Sequence, residues 1–280
     1  MSGAARAWPR HRRQWTASLL MAVLTTACSD PDNKPQVGSN SNWLRICSSD
    51  TECFEGGVCL CGACSRSCSA DVDCADLEEG ACVQAATPAA ESQCLGQPSA
   101  VPTGMCLPRC TPGSCLQGQA CIAGSCVLYE LPAVDLCTSV ANRSQEDRAA
   151  EESLLELVQV SREQGGLDCQ SGQLTAPATP FAIDPRATCA ARALAMDLDT
   201  GSGSGVTDAQ GRDGGERLAL AGYSGGTWAE MVAVGVTSAE QALSLLTADS
   251  RYCSVLTSPA YTTVGVGHVG RIYVVTLTEP

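Results

Sequence analysis

Between Cys47 and Cys126 the chain carries fourteen of its 19 cysteines, and that density constrains the fold more than any other feature. The same stretch holds few large apolar side chains, so burial alone cannot keep it folded. Disulfides are expected to do so, each worth roughly 2–4 kcal/mol, mainly by restricting the unfolded chain. Such cysteine usage belongs to an oxidising compartment. Four further cysteines, Cys137, Cys169, Cys189 and Cys253, are spread over the C-terminal half. With Cys28 set aside, 18 remain, an even number as full pairing requires.

The spacing within 47–126 reads as a degenerate repeat. Cys47, Cys53, Cys59 and Cys64 form one unit. Cys68, Cys74, Cys82 and either Cys94 or Cys106 form a second, with a Pro/Ala-rich insertion at 86–103. Cys110, Cys115, Cys121 and Cys126 form a third. Two units open alike, Cys47-Ser-Ser-Asp50-Thr-Glu52-Cys53 and Cys68-Ser-Ala-Asp71-Val-Asp73-Cys74. The pattern resembles the short cysteine-rich repeats of bacterial surface proteins and only loosely an EGF module, because Cys59-Leu60-Cys61 is followed too soon by Cys64. Asp50, Asp71 and Asp73 offer oxygen ligands but lack the dense alternation of a calcium loop, so they read as turn acids. Cys59, Cys61 and Cys64 have zinc-like spacing, yet in an exported chain with even cysteine parity they are expected as disulfides. No metal and no cofactor is expected.

Residues 1–27 have the layout of a secretory signal: Arg6, Arg10, Arg12 and Arg13 precede an apolar run at 17–24, and no acid occurs there. The segment ends Leu24-Thr25-Thr26-Ala27-Cys28, which resembles a bacterial lipobox. That resemblance makes Cys28 the lipidated first residue of the mature protein, and Ser29 beside it is compatible with delivery to the outer membrane, on its periplasmic or cell-surface side. The lipid would be the membrane contact, followed by a flexible tether at 28–46. Without residues 1–27 the chain has 13 basic against 30 acidic residues, a net charge of −17. A chain this acidic repels nucleic acid, which is excluded as a partner.

Beyond an expected linker at 127–145 the composition turns helical. Leu154, Leu157, Val158 and Ser161 recur at helical spacing on a helix of about 148–164 closed by Gly165-Gly166. Asp184-Pro185 is an N-cap followed by a first-turn proline, opening a helix over 185–199. Gly201–Gly215 reads as a loop, and Ser238-Ala-Glu-Gln241 has capping-box form ahead of a third helix. Residues 261–268 and 271–278 alternate like the strands of a hairpin. Helices before a closing antiparallel hairpin imply an α+β layered domain.

Residues 146–280 resemble a bacterial CAP (SCP) domain, the fold of cysteine-rich secretory proteins. The resemblance rests on order: Arg162 near the end of a first helix, Cys169 in the next loop, Asp197-Leu198, then Ala221-Gly222-Tyr223. Ala229-Glu230-Met231-Val232-Ala233 follows, then Ser238-Ala239-Glu240, Tyr252-Cys253, Pro259-Ala260-Tyr261-Thr262 and Val264-Gly265-Val266-Gly267. It implies a three-layer αβα sandwich behind a small disulfide-rich module with little regular structure.

CAP domains typically carry a cleft of two histidines and two glutamates able to hold a divalent metal. Here the resemblance places Val206 at the first histidine and Tyr252 at the second. Glu230 keeps one glutamate, and the second cannot be placed, Asp249 being the nearest acid. The chain has two histidines; His11 leaves with the signal, so His268 in the hairpin is the one that remains. The degenerate cleft is therefore expected to comprise Val206, Glu230, Tyr252 and His268, with no catalytic residues and no two-histidine metal site. The resemblance favours Cys169 with Cys253, which leaves Cys137 with Cys189, although four cysteines allow three pairings. The expected function is non-enzymatic recognition of a lipid, glycan or protein. The alternatives are a hydrolase working through the cleft, and a structural or protease-inhibitor role for the cysteine-rich module.

Overall fold

The computed structural model describes residues 43–77, 79–95, 103–169 and 175–279. The expected signal over 1–27, Cys28 and the expected tether as far as residue 42 lie outside the described residues. The last residues of that tether, 43–46, are instead part of the first repeat: Trp43 and Leu44 are buried, the Leu44 N–H donates to the Cys64 carbonyl, and Ile46 bridges to Ala63.

The cysteine-rich stretch folds as three small hairpins. Strands β1 (Val58–Leu60) and β2 (Ala63–Ser65) form the first, β3 (Gly80–Gln84) and β4 (Gly104–Pro108) the second, and β5 (Gln119–Ile122) and β6 (Ser125–Leu128) the third. In each, the third and fourth cysteines face one another across the strands: Cys59 with Cys64, Cys82 with Cys106, Cys121 with Cys126. The disulfides run first to third and second to fourth, Cys47–Cys59 and Cys53–Cys64, Cys68–Cys82 and Cys74–Cys106, Cys110–Cys121 and Cys115–Cys126. The first and third hairpins turn through two residues with positive φ, Cys61-Gly62 at 51° and 76° and Ala123-Gly124 at 47° and 76°. Those are the angles that match strand twist in a two-residue loop.

The shared openings of the first two repeats do the same work in each. Asp50 accepts the Cys59 N–H and Asp71 the Cys82 N–H, both at 2.8 Å. Glu52 and Asp73 accept the N–H groups of Ser48 and Ser69. The second hairpin is opened by its insertion, which is a helix, α1 (Pro88–Cys94), started by the Thr87 cap. Cys94 bonds Cys61, the extra cysteine in the first repeat's turn, so the fourth member of the second unit is Cys106.

The stretch expected as a linker is folded. It contains the end of β6 and helix α2 (Asp135–Ser139), whose Cys137 is bonded to Cys189. Helix α3 (Gln145–Gln164) follows, then the short strand β7 (Ala182–Ile183) and helix α4 (Pro185–Asp199). Helix α5 (Gly214–Leu220) starts inside the glycine-rich segment read as loop, because Asp213 caps Glu216 and Glu216 returns the bond. Strand β8 (Trp228–Val234), helices α6 (Ala239–Ala248) and α7 (Ser250–Leu256), and the hairpin β9 (Thr263–Val269) and β10 (Ile272–Thr278) complete the chain. Cys169 bonds Cys253 of α7.

The sheet order is β7-β9-β10-β8, antiparallel except for the short parallel β7–β9 pair. One face packs on α3 and α6 through Leu154, Val158, Met231, Leu246, Val266 and Val275. The other packs on α4 through Ala191, Leu194, Ala195, Ile272 and Val274. Gly265 and Gly267 lie on that second face, where an added Cβ would come within 2.0 Å of Thr188 N and 2.5 Å of the Ala191 carbonyl carbon. The two glycines therefore let the α4 backbone rest directly on β9. This is a three-layer α+β sandwich, and the hairpin module belongs to the same compact unit.

Candidate functional site

Glu230 stands on β8 opposite Thr276 of β10, on the α4 face of the sheet. Its carboxylate is buried and meets Arg217 of α5, Nη2 to Oε2 at 2.5 Å. The Thr276 hydroxyl donates to Oε1 at 3.2 Å. Arg217 is itself fully buried, and it donates to the carbonyls of Arg212 and Val206 at 2.6 and 3.1 Å. The Asp208 carboxylate lies 3.8 Å away and is held by Arg212 at 2.7 Å. Burial pushes the Glu230 carboxyl above its usual range, while the charge of Arg217 pulls against that.

This arrangement does not fit a divalent metal. A cation arriving at Glu230 would meet a buried guanidinium already bonded to the carboxylate, and no histidine shares the face. Val206 and Glu230 are indeed brought together, but through Arg217 and the Val206 carbonyl; the Val206 side chain is exposed. Sequence reasoning missed Arg217 because an arginine in a short run beside glycines carries no burial signal.

His268 is elsewhere. It pairs with Tyr273, three residues from Thr276 on β10, so it projects from the opposite face to Glu230. Its Nδ1 lies 3.0 Å from Asp147 and its Nε2 3.1 Å from the Gly270 carbonyl. The short β7 covers only Thr263 and Val264, so the edge of β9 is open further along. There the His268 N–H donates to Glu151 at 3.1 Å, and Arg143 donates to the His268 carbonyl. Glu151 is also clamped by Arg192, Nη2 to Oε2 at 2.6 Å. Glu151 of α3 and Arg143 just ahead of that helix thus take the place of a neighbouring strand. Tyr252, on α7, is half-buried against the α3/α6 core with Arg251 over its ring. The four residues of the expected cleft consequently divide, Val206 and Glu230 on one face, His268 and Tyr252 in the other layer.

Gly222-Tyr223-Ser224-Gly225-Gly226 has the Gly-x-Ser-x-Gly form of a nucleophile elbow. It runs from helix to strand instead of strand to helix, and Ser224 is exposed. Arg162 has another task. Buried at the end of α3, it donates to the carbonyls of Thr179, Leu256, Ser258 and Tyr261 and lies over the Phe181 ring.

No family model and no curated protein matches the chain. Among solved structures it is similar to an extracellular protein containing an SCP domain from Bacillus anthracis str. Ames, at 15% identity over 49% of this chain and 42% of that one, with a TM-score of 0.41. It is similar to a cysteine-rich secretory protein from Staphylococcus aureus subsp. aureus Mu50, at 16% identity over 49% and 40%, TM-score 0.39. A third is an outer surface protein from Borrelia burgdorferi, at 14% identity over 46% and 90%, TM-score 0.37. The matched region spans less than half the length of the first two. Each likeness covers about half of this chain.

Proposed function

We propose that this chain is an exported, lipid-anchored recognition protein whose SCP-like domain binds a lipid, glycan or protein without catalysing a reaction. The observation that carries this reading is the Arg217–Glu230 pair, which commits the one acid kept from the expected cleft to an internal cation. The engagement of both His268 ring nitrogens on the other side of the sheet supports it, since a general base needs a free nitrogen beside a nucleophile. Nine disulfides among the described residues agree with an oxidising compartment.

The test compares the full mature chain with Glu230→Gln on cell-wall and protein substrates, with and without added divalent metal. The expected result is no turnover in either. Metal-dependent hydrolysis by the wild type that Glu230→Gln abolishes, while circular dichroism shows the variant folded, would overturn the reading. Mass spectrometry of the mature N-terminus tests the anchor: a diacylglyceryl mass on Cys28 is expected, and an unmodified or differently placed N-terminus removes it.

A further inference from the structure

On the outward side of α3 a groove of about 310 Å³ runs between the helix and the third repeat. Ile122 and Leu155 form its floor, Thr111 and Pro112 stand on the repeat side, and Glu152, Glu156, Val160 and Glu163 line the helix side. Those four fall at i, i+4, i+8 and i+11, one stripe of a helix. Glu156 and Glu163 are exposed, Val160 is 40% exposed between them, and no described side chain pairs with either acid. The two arginines on α3 itself are engaged with backbone carbonyls, Arg148 with those of Cys115 and Leu116 and Arg162 with those of Thr179, Leu256, Ser258 and Tyr261. The groove therefore combines an apolar floor with two uncompensated negative charges.

Seven residues of helix separate the two acids by about 10 Å along the axis. A polyproline-type segment rises ~3.1 Å per residue with three residues per turn, so side chains three apart point the same way about 9 Å apart. We propose that this groove docks a partner protein's extended segment carrying basic residues three apart, one against Glu156 and one against Glu163, with an aliphatic stem on Val160. The proposal rests on the recognition reading and gives it a partner class and a surface away from the Glu230 face.

The test is fluorescence anisotropy on the full mature chain near physiological salt, using labelled Pro-Arg-Pro-Pro-Arg-Pro as probe. The same composition with its arginines adjacent serves as the spacing control. Saturable binding is expected, weakened about tenfold by Glu156→Gln/Glu163→Gln and by the adjacent-arginine peptide. The distant surface pair Glu55→Gln/Glu240→Gln should change it less than about twofold. No binding, or equal weakening by both double variants, overturns the proposal, the latter because it marks mere attraction to an acidic surface. Saturable binding of calcium ion alone that Glu156→Gln/Glu163→Gln abolishes would make the occupant a metal and overturn it too. None of these outcomes touches the non-catalytic reading, which fails only through Glu230-dependent hydrolysis.

Discussion

At the scale of single residues, the charges inside this protein decide more than the ones outside. Arg217 is fully buried with Glu230 at 2.5 Å, and neither could stand alone there. Replacing Arg217 by Met leaves a carboxylate without its counter-charge, and removing one partner of a buried pair costs about 3–5 kcal/mol. Arg217→Met/Glu230→Met removes both charges and keeps an apolar filling, so it is expected to be more stable than Arg217→Met alone. Urea unfolding of the wild type, Arg217→Met, Glu230→Met and the double variant checks this. Additive losses would mean that the pair is not the unit holding α5 to β8.

Between elements, the joint of the third repeat with α3 rests on Glu152, which accepts the Gly113 N–H at 2.5 Å while Gln145 donates to the Gly113 carbonyl and Arg148 to those of Cys115 and Leu116. Burial pushes the Glu152 carboxyl above its ordinary value of 4.5. A carboxyl raised in the folded state binds its proton more tightly there than in the unfolded chain. Its contribution is therefore fully present below the unfolded value and is lost as pH rises through the folded one. Glu152→Gln keeps an acceptor for Gly113 and removes the titration. The variant is expected to lose less stability than the wild type as pH rises from about 4.5 towards neutrality. Urea midpoints across that range measure the difference, and parallel curves would assign the pH dependence to other groups.

The elements themselves were unevenly legible. Helix α4 could be read to its ends because Asp184-Pro185 caps it and the alanines behind are periodic. The Val-Gly-Val-Gly strand was legible as a landmark, but its physical purpose, a helix backbone resting on Gly265 and Gly267, needs the second element to be visible. Helix α5 and the face on which each cleft residue stands were not legible. Six glycines masked a seven-residue helix, and strand spacing gives alternation without saying which residues of different strands share a side.

At the scale of the whole molecule, the sequence suggested beads on a string: a stapled module, a linker, a domain. The structure replaces the linker by α2, bonded through Cys137 to α4, and seats the third repeat on α3. If those joints hold, module and domain unfold together despite their different means of stabilisation. Two tryptophans lie beyond residue 27, one in each half, Trp43 buried beside the first repeat and Trp228 on β8. Trp228→Phe leaves a reporter in the module, and Trp43→Phe leaves one in the domain. With all disulfides intact, the two variants are expected to give urea midpoints that agree once each variant's own stability change is allowed for by circular dichroism. A module signal that persists well after the domain signal has gone would mean that the staples make the repeats a separate folding unit. In that case the groove beside α3 would be a gap between independent parts and not a formed surface. Coincident transitions would show that disulfides and layered core stabilise one cooperative body, with the groove as fixed as either of its walls.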